Sequence, residues 1–141
     1  MKRRKIRSLS VSEIGMGCMG FSHGYGQVPG AGYAEEAIRE AFGYGCNFFD
    51  TAEGYGKELY YPGHNEEIVG RAVRGFRNEV VIATKLRIRP EAVEDCGSVY
   101  AAIRRHLERS LKNLQTDYVD LYYLHRINME VDYLEVAHTM G

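Results

Sequence analysis

No run of about 18 apolar residues occurs in this sequence, so no segment of it reads as a bilayer-spanning helix. Charge of one sign is not in excess either. The chain has 18 basic and 19 acidic residues and a formal charge of -1, which provides no global field to recruit nucleic acid or an anionic surface. That balance suits a small-molecule task. The local exception is Lys2-Arg3-Arg4-Lys5 with Arg7. No apolar stretch follows it to make a signal peptide and no aromatics interleave with its charges, so it reads as a solvated terminus. Cysteine is scarce. Cys18, Cys46 and Cys96 are odd in number and widely spaced, with no C-x-x-C pair and no histidine at ligand spacing. This argues against a metal site or disulfide framework and for three free thiols in a reducing cytoplasm. His23, His64, His106 and His138 share no ligand spacing and read as surface or loop residues. The 11 tyrosines lack the basic groove of a nucleic-acid stacking platform and read as packing residues or loop anchors.

What is present is a composition ordinary for a globular protein, 45% apolar and 26% charged, in which helical periods and short apolar runs take turns. A brief strand is expected over Ser12 to Gly17. A helix is expected over Ala34 to Tyr44, where Ala37, Ile38, Ala41 and Phe42 recur at helical spacing and Gly45 can stop it. Asn47 to Asp50 is too short and too aromatic for a helix and reads as a buried strand. A second helix is expected over Asn65 to Arg74, followed by the β-branched run Val80 to Thr84 as a strand. Ser98 can cap a third helix with the stripe Val99, Ile103, Leu107, Leu111 and Leu114; Tyr118 to Leu124 reads as the fourth strand, and a last helix begins near Val131. Alternation at a period of roughly 35 to 40 residues indicates βαβ units and a parallel sheet. An eight-unit barrel takes about 250 residues. The expected architecture is therefore α/β: about the first four units of a partial TIM (β/α)8 barrel, or a small doubly wound sheet.

Three expected strands finish on an ionisable residue, Asp50, Lys85 and His125. Parallel strands point one way, so the three side chains reach one rim, where the active sites of barrels sit. Alternation puts Lys85 on a face with Ala83 and Val81, and His125 on a face with Tyr123, Leu121 and Val119. The segment Asp50-Thr51-Ala52-Glu53-Gly54-Tyr55-Gly56 leaves the same rim, and its glycines let the backbone fold back over the site. A tyrosine beside Lys85 has a reason to be reactive. A unit charge about 4 Å away, at an effective dielectric near 20, favours a phenolate by roughly 4 kcal/mol at most, which makes the phenol a usable general acid. Asp50 would aim the lysine and His125 would donate a hydrogen bond to a substrate oxygen. Such a set suits protonation of a carbonyl oxygen while hydride reaches the carbon, and since no side chain delivers hydride, a nicotinamide cofactor is required.

Several stretches resemble the aldo-keto reductase family. Ser12 to Gly20 (SEIGMGCMG) resembles its first strand and turn; Asp50 to Gly56 (DTAEGYG), with Asn65 to Ala72 (NEEIVGRA) beyond it, resembles the segment bearing the catalytic Asp and Tyr; Ala83-Thr84-Lys85 matches the lysine strand. The most specific match is Ser110 to Arg126 (SLKNLQTDYVDLYYLHR), ending on the family's substrate-side His. The resemblance implies NADPH-dependent reduction of an aldehyde or ketone. Tyr55 would be the proton donor, Lys85 and Asp50 would tune it, and His125 would orient the carbonyl. The backbone of Gly17, Cys18 and Met19, together with Asp50, would lie against the nicotinamide. It also implies that residues 1–141 are the N-terminal half of a barrel domain, cut within the fourth helix, and that the other half supplies the carboxamide, ring-stacking and phosphate contacts. Two departures are the long connection Lys57 to His64 and Ile127-Asn128-Met129-Glu130 in place of the usual Asp-Pro. Open sheet edges would favour pairing of two half barrels or completion by a missing half. The non-enzymatic alternative is an inactive fragment or accessory protein that keeps the reductase fold. Gly15-x-Gly17-x-x-Gly20 also satisfies the dinucleotide fingerprint, but Phe21 to Gly32 reads as loop where that fingerprint should open directly into a helix.

Overall fold

A computed structural model describes residues 1–24 and 26–141; Tyr25, inside the loop expected over Phe21 to Gly32, lies outside the described residues. The chain opens with an antiparallel hairpin of β1 (Arg3–Ile6) and β2 (Leu9–Ser12), pairing Arg3 with Ser12 and Ile6 with Leu9. The basic start is thus a paired strand, which the sequence pattern did not signal, and it is solvated as expected. Its side chains are exposed, but its backbone is paired, and Arg7 takes a left-handed φ of 52° at the turn. The hairpin is stitched to the start of the main sheet by Asn47, whose Oδ1 accepts from Ser12 N at 2.6 Å and whose N donates to Ser12 Oγ at 3.0 Å.

The main sheet has 4 strands in the order β3-β4-β5-β6: β3 (Met16–Gly17), β4 (Phe48–Asp50), β5 (Val81–Leu86) and β6 (Leu121–Leu124). All neighbours are parallel, with Asp50 opposite Ala83 and Lys85 opposite Tyr123. The helices are α1 (Ala31–Gly43), α2 (His64–Val73), α3 (Pro90–Cys96), α4 (Val99–Leu114) and α5 (Tyr133–Met140). Ser98 caps α4 as expected, accepting from Ala101 N at 3.1 Å. The short α3 escaped the periodicity because it spans two turns, although Pro90 inside its start and Gly97 at φ 79° past its end mark both limits. The first strand begins at Met16 rather than Ser12, because Ser12 belongs to the hairpin and Ile14 is 64% exposed. The last strand begins at Leu121 rather than Tyr118. At Asp120 the carboxylate takes the Ile82 N–H in place of a backbone carbonyl, its Oδ2 accepting from Ile82 N and from Arg77 Nη2, both at 2.9 Å, while Asp120 N still donates to Ile82 O at 3.1 Å.

One face of the sheet packs the helices. Phe49 and Ile82, adjacent in register, are fully buried with Ile38 of α1, Ile68 and Val69 of α2 and Leu114 at the end of α4. A second cluster joins Leu86, Ile88, Val99, Ile103 and Val136 beneath α4 and α5. Gly70 lets α2 approach the end of α4, since a Cβ there would meet the Leu114 carbonyl. The opposite face is concave. Its hollow, about 770 Å³, runs from Ile6 and Val11 of the hairpin to Asp50, Lys85 and His125 at the strand ends. Strands in sequential order with α1, α2 and α4 stacked outside form an arc of a (β/α) barrel, not a doubly wound sheet. The glycine fingerprint leads into a single 3-10 turn at Met19–Phe21, and α1 starts only at Ala31, so the Rossmann reading fails. Among the described residues no helix is long and apolar enough to cross a membrane.

Candidate active site

At the strand ends ladder-like bonds continue up to three residues past the strands. Thr51 N donates to Ala83 O at 2.9 Å, Glu53 N to Lys85 O at 3.2 Å and His125 N to Leu86 O at 2.8 Å. These bonds bring the loop of Tyr55 and the backbone of His125 to either side of Lys85. The Lys85 ammonium donates to Asp50 Oδ1 at 2.5 Å, to the Thr51 carbonyl at 2.7 Å and to Tyr55 Oη at 3.1 Å. An ammonium has three donors, and all are used, which fixes its position. The Tyr55 and His125 rings meet edge to face, with centroids 5.5 Å apart. Burial first, then the charges of Lys85 and Arg126, hold the His125 imidazole below its ordinary value. It is therefore neutral at neutral pH and has one N–H to give. Sequence reasoning brought these four residues to one rim, and the structure gathers them there.

The match to the family model "Aldo/keto reductase family" covers residues 13–141. The chain belongs to the aldo/keto reductase family. It is 38% identical over 134 residues to YqkF, an uncharacterized oxidoreductase of Bacillus subtilis, covering 89% of this chain and 39% of that protein. To aldo-keto reductase yakc [NADP(+)] of Schizosaccharomyces pombe it is 38% identical over 133 residues, covering 90% of this chain and 37% of the relative. Among solved structures it is similar to aldo-keto reductase AKR11C1 from Bacillus halodurans in its holo form, with a TM-score of 0.77 and 31% identity, over 99% of this chain and 45% of that one. An aldo-keto reductase from Klebsiella pneumoniae in complex with NADPH matches with a TM-score of 0.76 and 31% identity, again over 99% and 45%. This aldo-keto reductase chain thus spans well under half the length of the curated relatives it matches.

Sequence reasoning missed what holds the reductase loop in place. Glu53 Oε1 accepts from Arg87 N at 2.8 Å and Oε2 from His106 Nδ1 at 2.6 Å, so His106 is a partly buried anchor rather than a surface residue. Its signal was its position on α4, one turn from the buried Ala102 and Ile103. Asn65, fully buried, accepts from Thr51 Oγ1 at 2.7 Å and donates to Cys18 O at 2.9 Å and Ser22 Oγ at 2.8 Å. His64 Nδ1 shares a hydrogen bond of 2.9 Å with Ser22 Oγ and its ring stacks on Tyr60 with centroids 4.0 Å apart, so the long connection Lys57 to His64 is packed down at its end. Burial lowers His64 and so favours its neutral form.

Gly17 faces the large hollow, with open space where a Cβ would stand, and Met19 walls a second cavity of about 320 Å³ with Tyr55 and His125. Cys18 lies between them and faces inward. Its N donates to Asp50 O at 2.8 Å, its O accepts from Asn65, and its thiol is pushed up to about 12 by burial and then by Asp50. That thiol is a packing group with no nucleophilic use. Among the described residues no group of three or more His, Cys, Asp or Glu is placed to hold a metal ion.

Proposed function

We propose that this chain carries the chemical centre of an NADPH-dependent carbonyl reductase that converts an aldehyde or ketone to an alcohol. The observation that carries the reading is the Lys85 ammonium bonded at once to Asp50 and Tyr55, with His125 across the mouth against the Tyr55 ring. The residues present fit the nicotinamide end of the cofactor: Gly17 leaves its backbone open to a flat ring, and Asp50 and His125 border the same hollow. NADPH, when bound, supplies the hydride.

The protein's own part is proton delivery and orientation. Tyr55 gives its phenolic proton to the carbonyl oxygen as charge builds there. The Lys85 N–H on the phenol oxygen stabilises the charge left behind, a charge-assisted bond of the stronger class. Asp50 and Thr51 O hold the ammonium so that this bond needs no reorganisation during the reaction. Neutral His125 donates its N–H to the same carbonyl oxygen and sets the face presented for reduction.

The deciding experiment is a fluorescence titration of NADPH into the chain followed by a generic aldehyde. Saturable binding with aldehyde-dependent NADPH loss, abolished by Tyr55→Phe in a chain that still folds, supports the reading; turnover retained in Tyr55→Phe ends the acid assignment. A second reading, a reductase fold used for protein contacts, is favoured by the open inner face, where Tyr123 is 43% exposed. Folded chain that binds no NADPH and scatters light as a dimer would support it.

A further inference from the structure

The cavity of about 320 Å³ lined by Tyr55 and His125 is also lined by three cations, Lys57, Arg87 and Arg126, and by a single carboxylate, Glu58, with Met19, His23 and Gly54 completing its wall. Glu58 is already shared. It lies 3.5 Å from Lys57 and 3.7 Å from His23, so Lys57 and Glu58 offset one another. Arg87 and Arg126 have no carboxylate within ion-pair distance among the described residues.

Neither guanidinium hangs from a loose backbone. Arg87 follows the buried Leu86, and its N–H is held by Glu53 at 2.8 Å. Arg126 follows His125, whose N–H is held by Leu86 O at 2.8 Å. Arg87 further walls a neighbouring cavity of about 230 Å³ with Arg89 and Arg109, which extends the positive field along the rim. The charges of Arg126 and Arg87 also act on the His125 imidazole, behind burial and Lys85 as causes of its lowering. Two exposed arginines without a carboxylate partner thus rise from held backbone to line the cavity of the proton donor, and a guanidinium is well suited to bind a carboxylate or phosphate.

Resting on the reductase reading, we infer that the carbonyl substrate carries an anionic group, a carboxylate or a phosphate, which Arg87 and Arg126 bind while Tyr55 and His125 hold the carbonyl oxygen. A neutral aldehyde of the same size leaves the two charges with water alone. The anionic group therefore lowers KM more than it changes kcat.

The test has a kinetic and a binding arm. NADPH consumption is compared for 4-oxobutanoate against its neutral amide, and for glyceraldehyde 3-phosphate against glyceraldehyde. KM is expected to be about ten-fold lower for the charged member of the preferred pair, the worth of one charge-assisted bond. Arg87→Gln and Arg126→Gln each shrink that ratio. Binding is read without turnover by NMR of the arginine Nε–H signals, with succinate and inorganic phosphate as probes, and whichever is preferred names the group. If the preferred probe saturates and both substitutions weaken it about ten-fold in a chain that consumes no NADPH, the anion site stands and the reductase reading falls. Turnover with equal KM values and no response to either probe overturns the anion site and leaves the reductase reading intact. Probe binding that neither substitution weakens also overturns it.

Discussion

Glu53 Oε2 accepts a hydrogen bond of 2.6 Å from His106 Nδ1, and this contact ties the loop that carries Tyr55 to α4. The other oxygen of the same carboxylate holds the backbone beyond Lys85. Glu53 thus sets the spacing between the loop and the strand whose side chains must meet. His106→Ala leaves a largely buried carboxylate oxygen without its partner, a cost of about 1–3 kcal/mol. Urea melts should show that loss, and hydrogen exchange should quicken at the amides of residues 51–56. Unchanged exchange there would mean that α4 does not steady the loop.

His125 titrates below its ordinary value of about 6.5 because it is partly buried and faces Lys85 and Arg126. The sign follows from the charge: its positive form is disfavoured in the folded chain. Its contribution to stability is present above the unfolded value and is lost as pH falls through the lowered one. An NMR titration of the imidazole should therefore give a midpoint below 6.5. Lys85→Met, which removes the positive charge that lowers it most, should move that midpoint up.

Glu66 presents the opposite case. It is fully buried, accepting from Thr84 Oγ1 at 2.6 Å and Asn113 Nδ2 at 2.9 Å, and burial raises its carboxyl above the ordinary 4.5. A raised folded value means that the protonated form is favoured on folding. Its stabilisation is complete below the unfolded value and is lost as pH rises through the raised one. Glu66→Gln imitates the protonated form. Its Tm should match that of the parent at low pH and exceed it increasingly towards neutrality; a constant difference across that range would exclude the linkage.

Gly70→Ala tests the contact between α2 and α4. The added methyl would press on the Leu114 carbonyl, and that backbone cannot step aside without shifting the end of α4. Overpacking of this kind costs about 1–3 kcal/mol. A Tm equal to that of the parent would show that α4 shifts freely. Because Leu114 belongs to the core beneath β4 and β5, the loss should be global rather than confined to one helix.

Much of the fold was legible in the sequence because local chemistry decides it. The β-branched run ending at Lys85, the stripe of α4 with its Ser98 cap, and the alternation of strands with helices each follow from side-chain shape and periodicity. The hairpin was not legible: a strand of Arg3-Arg4-Lys5-Ile6 has no apolar alternation, and its order comes from pairing with β2. The strand limits at Met16 and Leu121 were likewise set by partners elsewhere, Ser12 bonding Asn47 and Asp120 bonding Ile82 and Arg77.

The same division runs through the site. By itself the sequence determined which residues reach the rim, since parallel strands ending on Asp50, Lys85 and His125 must deliver them to one edge. Only the tertiary structure decided that Glu53 would be anchored by His106, that Asn65 would join Thr51 to Cys18, and that Arg87 and Arg126 would face the same cavity without partners. These contacts join residues far apart in the chain. Whether two polar groups meet, or are left unpaired, depends on how elements pack, and no pattern of neighbours along the backbone records it.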